Sequence, residues 1–128
     1  MGLDCWVARA PGDPVGLTPE EVARFARLRL PLCEWTARGS SVHFSGKRYL
    51  AIVEEVAGAC LSEPWLDPQA LGEIAARFAA TSPQLAVDAA NASNPWYRDA
   101  PLTTDEFSAL RVLFAECAAA NLGLSSDW

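Results

Sequence analysis

Four helix N-termini are written into this chain, and they constrain the fold more than any other feature. Thr18-Pro19-Glu20-Glu21 and Thr103-Thr104-Asp105-Glu106 are capping boxes. In each, a Thr oxygen can accept a free backbone N–H while a Glu three residues on reaches back. Asp67-Pro68 and Ser82-Pro83 pair a capping side chain with a proline suited to the first turn. The spacing predicts helices from Thr18 to about Leu30, from Asp67 through Phe78, from Ser82 to about Asn91, and from Thr103 onward.

Apolar residues recur at three and four behind each start. Val22, Phe25, Ala26 and Leu30 stripe the first helix; Leu71, Ile74, Ala75 and Phe78 stripe the second. Phe107, Leu110, Leu113, Phe114 and Cys117 make the last the clearest. A fifth helix follows Ser45, where Tyr49, Ile52, Val53, Val56 and Cys60 share a broad face. Its breadth predicts a central helix packed on more than one side. The expected core is Phe25, Ile52, Val53, Val56, Leu71, Ile74, Phe78, Leu110, Leu113 and Phe114.

Strand signals are fewer. Residues 3–9 alternate weakly, with Leu3, Cys5 and Val7 on one side. Residues 10–16 are rich in Pro and Gly and read as a loop. Val42-His43-Phe44 reads as a short strand that could pair with residues 3–9. Residues 31–46 are otherwise open between strand and coil. The tail after Gly123 reads as a short segment from which Trp128 folds back on the core. The expected fold is therefore mainly α within the α+β class. It is a bundle of four to five helices with one or two short N-terminal strands, as a single domain over residues 1–128.

Half of the 128 residues are hydrophobic, enough for a packed core without disulfides or metal. No uninterrupted apolar run reaches membrane-spanning length, and the start lacks a signal-peptide pattern, so a cytoplasmic location is expected. Cys5, Cys33, Cys60 and Cys117 are scattered, with His43 the single histidine. That spacing predicts buried thiols rather than a metal site, and no cofactor is implied.

The opening Met1-Gly2-Leu3-Asp4 precedes a strand; Phe44-Ser45-Gly46 and Tyr49 enter a helix; the last helix runs into Asn121-Leu122-Gly123 and an aromatic end. In these features and their order the chain resembles a loose group of uncharacterised small bacterial and phage proteins. The resemblance implies a small α+β domain with strands at 3–9 and 42–44, and it carries no function.

Charge is uneven. Residues 50–128 hold three Arg against eleven Asp and Glu, and the whole chain has a net charge of −6. Such a surface suits a basic protein partner and argues against nucleic acid or an anionic membrane. Arg24, Arg27, Arg29, Arg38, Lys47 and Arg48 would have to converge on one face to bind a polynucleotide. The expected function is a small acidic binding protein, such as an immunity or antitoxin-type inhibitor of a larger basic protein. Glu54, Glu55, Glu63, Asp67, Trp96 and Tyr97 are its candidate contacts, because Trp and Tyr in loops are favoured interface anchors. The alternative is a small enzyme or anionic-ligand binder on the loop 40–48. There Ser45, Lys47, Arg48 and His43 stand at a helix start that favours negative charge. No catalytic residue is assigned, and oligomeric state is left open.

Overall fold

The computed structural model describes residues 2–12 and 16–128. Met1 and part of the expected loop 10–16 lie outside the described residues. The chain runs β1 (Asp4–Ala8), α1 (Pro19–Ala26), β2 (Thr36–Arg38), β3 (Ser41–Ser45), a 3-10 turn (Lys47–Tyr49) and α2 (Leu50–Ala57). It continues through β4 (Trp65–Leu66), α3 (Pro68–Ala79), α4 (Pro83–Ser93), a second 3-10 turn (Pro95–Tyr97), α5 (Thr104–Ala119) and β5 (Gly123–Asp127).

This architecture corrects the expected helical bundle with one or two strands. Among the described residues, five strands form one sheet ordered β2-β3-β1-β5-β4, and every neighbouring pair is antiparallel. β1 and β3 fall where the sequence places strands. The correction comes from β5, which is not a tail but an interior strand joining β1 to β4. Its pairing with β1 runs the full length, Asp4 to Ala8 against Asp127 to Gly123.

Helices pack on one face of the sheet. Cys5, Val7, Val42, Phe44 and Leu124 point into that core and are buried. Ser126 joins them, its hydroxyl 3.0 Å from Leu61 O and 3.2 Å from Cys5 Sγ. The hydrogen bonds satisfy a polar group that would otherwise be costly there. The opposite face carries the row Thr36, His43, Trp6, Ser125 and Trp65 across all five strands.

The helix starts behave as their side chains dictate. Thr18 and Thr103 cap in full capping boxes with Glu21 and Glu106; Asp67 and Ser82 accept from Ala70 and Leu85 N–H. The ends differ. α1 stops at Ala26 rather than Leu30, since Arg29 takes a positive φ of 47°. α2 stops at Ala57 because Gly58 adopts the left-handed conformation, φ 63°. The central helix is consequently α5, not α2. Phe107, Leu110, Leu113, Phe114 and Cys117 are fully buried along it. Phe78 of α3 stacks on Phe107 at 4.7 Å and meets Phe114 edge-on at 5.7 Å. Each such side chain contributes roughly 1.5–3 kcal/mol through burial. Nine of the ten expected core residues are buried, and Val56 is half-buried. No helix among the described residues is long and apolar enough to cross a membrane.

Candidate functional site

The end of β3, the first 3-10 turn and the second 3-10 turn meet around Arg48. Gly46 N–H donates to Leu3 O at 2.8 Å, which turns the chain out of the sheet and into Lys47–Tyr49. Arg48 Nε and Nη2 donate to Glu106 at 2.8 and 2.9 Å, while Nη1 and Nη2 donate to the carbonyls of Ala100 and Pro101. Tyr49 Oη donates to the same carboxylate at 2.8 Å and accepts from Cys33 N–H. Tyr97 Oη donates to Arg48 O at 2.6 Å. One carboxylate thus joins the start of α5 to the start of α2.

Burial pushes the Glu106 carboxyl up, but Arg48 and Tyr49 outweigh it and hold the group below its ordinary value. The hydrogen bond from Arg48 to Glu106, with the attraction of its charge, raises the guanidinium further. Burial and the bond to Glu106 push the Tyr49 hydroxyl up as well.

Beside this cluster lies an open groove of about 550 Å³, lined by residues of β3, α2, both 3-10 turns and Trp128. Two of its rings stand in water: Trp96 is 74% exposed and Trp128 56%. Local structure explains the first. Asn94 Oδ1 accepts the Trp96 N–H at 3.0 Å, and Pro95 starts a tight turn. Consecutive rings then diverge, Tyr97 inward at 2% exposure and Trp96 outward. Lys47 Nζ lies 5.2 Å from the centre of the Trp96 ring, in cation–π contact. Glu54 lines the same groove from α2.

The two sets of residues singled out from sequence partly converge here. Glu54, Trp96 and Tyr97 of the partner set, and Ser45, Lys47 and Arg48 of the anion set, line one groove. Four others lie elsewhere. Glu55 is exposed on α2 and accepts from Ser93 Oγ at 3.3 Å. Glu63 is exposed in the loop before β4. Asp67 caps α3, its Oδ1 accepting from Ala70 N–H at 2.7 Å. His43 sits half-buried in the middle of the sheet's outer face. Of the six scattered cations, Arg24 is paired with Glu116 and Arg48 with Glu106.

Sequence reasoning missed Trp128 as a groove residue, because it expected the ring to fold onto the core. It also missed Glu106, whose place in a capping box gave no sign of a second partner. Cys33 and Cys60 are exposed, unlike the buried thiols expected; only Cys5 and Cys117 are buried.

No family model, curated protein or solved structure matches the chain.

Proposed function

We propose that this chain is a small acidic binding protein of the immunity or antitoxin kind. It works in the cytoplasm and inhibits a larger basic protein by docking a segment of it in the groove around Trp96 and Trp128. The observation that carries this reading is the exposure of those two rings, 74% and 56%, on the rim of a single groove. Large rings left in water forgo their burial, and clustered exposed apolar surface of this kind marks interaction sites. Trp is also the residue most enriched among energetically dominant interface contacts. The net charge of −6 would speed capture of a basic partner.

The anionic-ligand alternative on loop 40–48 is weaker on geometry. It needs the Arg48 charge, and Glu106 with two carbonyls already takes that guanidinium.

The test is affinity capture from the native host with wild type, Trp96→Ala, Trp128→Ala and Glu54→Gln, at low and moderate salt. A stoichiometric basic partner, lost in the Trp variants and weakened by salt, is expected. A partner retained equally by all the variants would remove the groove from the reading. Salt-independent association would remove the charge argument.

A further inference from the structure

We propose that the groove recognises a lysine or arginine side chain on its partner, and that Lys47 is a built-in competitor for the same ring face. This rests on the reading of the groove as a protein-docking site.

The face of an indole ring carries negative charge density and attracts cations. Lys47 demonstrates that this face of Trp96 is placed to hold an ammonium, with Nζ 5.2 Å from the ring centre. Lys47 is exposed and makes no ion pair among the described residues. Its ammonium rests on the ring although the Glu54 carboxylate lines the same groove. The contact is an exposed one and therefore weak, so an incoming cation can displace it.

The remaining charges select for a basic visitor. Arg48 offers little to an anion, being matched by Glu106. The Glu54 carboxylate makes no hydrogen bond or ion pair among the described residues, its backbone carbonyl accepting from Gly58 N–H, and Glu55 follows it on α2. Outside the groove's own lining, Asp4 pairs with Ser45 and with Asp127, the residue before Trp128. Both aspartates are exposed. A ligand ammonium or guanidinium entering between the rings meets Trp96, Trp128 and the Glu54 carboxylate. An acidic segment would meet the Glu54 carboxylate unpaired.

The sign of the Lys47 effect decides between ligand classes. If Lys47 competes, its removal tightens binding of a basic probe; if Lys47 is a contact for an anion, its removal weakens binding. The experiment titrates dye-labelled hexalysine and hexaglutamate into the full chain and reads fluorescence anisotropy at low and moderate salt. Lys47→Ala also makes the protein more acidic, so Arg77→Ala, on the exposed side of α3, serves as the matched charge control.

Hexalysine is expected to bind. Lys47→Ala should tighten it about 2–5-fold beyond the effect of Arg77→Ala. That excess should vanish in a Trp96→Ala background, and Glu54→Gln should weaken binding. Failure of hexalysine to bind, preference for hexaglutamate, or a Lys47→Ala variant that binds hexalysine no more tightly than Arg77→Ala would each overturn the proposal. In those cases the docking reading survives if capture of the partner still depends on Trp96. Hexalysine binding that Trp96→Ala and Glu54→Gln leave unchanged would be attraction to net charge alone, and would overturn the proposal too.

Discussion

Arg48 and Glu106 are 58 residues apart in sequence and joined by two side-chain hydrogen bonds, 2.8 and 2.9 Å long. The pair is only 24% and 13% exposed, and it fixes the start of α5 against the turn that feeds α2. Removing one member leaves the other charge part-buried and short of partners. Arg48→Ala and Glu106→Gln should each lower unfolding free energy by about 2–3 kcal/mol. The double variant should cost less than the sum, since both changes break one network. Urea titration of the four proteins measures the coupling, and strict additivity would show that the pair is not a unit.

The same carboxylate sets an acid limit. Its folded value lies below the ordinary 4.5, so below that point the unfolded chain takes up the proton more readily than the folded one. The stability it contributes is present above pH 4.5 and is lost as pH falls through the folded value. Wild type should therefore lose stability on acidification below about 4.5 more steeply than Glu106→Gln. At the alkaline end, burial raises Tyr49 and Tyr97 above their ordinary 10.0. Their contribution is present below pH 10.0 and is lost as pH rises through the folded values. Chemical-denaturation midpoints measured across pH report both limits.

Gly123 permits the packing of β4 on β5. A Cβ placed there would meet the Trp65 ring and lie 2.6 Å from Leu66 O, closer than real contacts allow. Backbone cannot retreat as a flexible side chain can, so Gly123→Ala should push β4 off the sheet. The expected cost is about 1–3 kcal/mol, with a change in Trp fluorescence as Trp65 moves. An unchanged urea midpoint would mean that the sheet edge yields freely.

These relationships mark what the sequence made legible. Helix starts were readable because Thr18, Asp67, Ser82 and Thr103 act on N–H groups three residues away. Strand pairing is not local. β5 is Gly-Leu-Ser-Ser-Asp, with a single large apolar side chain, and it is a strand because β1 and β4 lie on either side of it. β4 has two residues and β2 three, too short to show any period. At the site, Trp96 was legible through its setting after Asn94-Pro95. Arg48 read as a free charge at a helix start because its partner lies on another helix. Likewise Cys60 fitted a helical stripe that Gly58 ends two residues too early.

The thiols give the final prediction. Burial pushes Cys5 up to about 11, with the Ser126 hydrogen bond opposing, and pushes Cys117 up still further. A thiol held protonated is a poor nucleophile, and neither is reachable from solvent. Cys33 and Cys60 are exposed. An aromatic disulfide reagent at mildly alkaline pH should therefore titrate two thiols in the native protein and four in denaturant. Cys33→Ser and Cys60→Ser should each remove one equivalent from the native count, and Cys117→Ser none. Fast labelling of Cys5 in the native state would be informative in its own right. Cys5 lies beside Ser126 on the core-facing side of the sheet, so its exposure would require the core packed on that face to open.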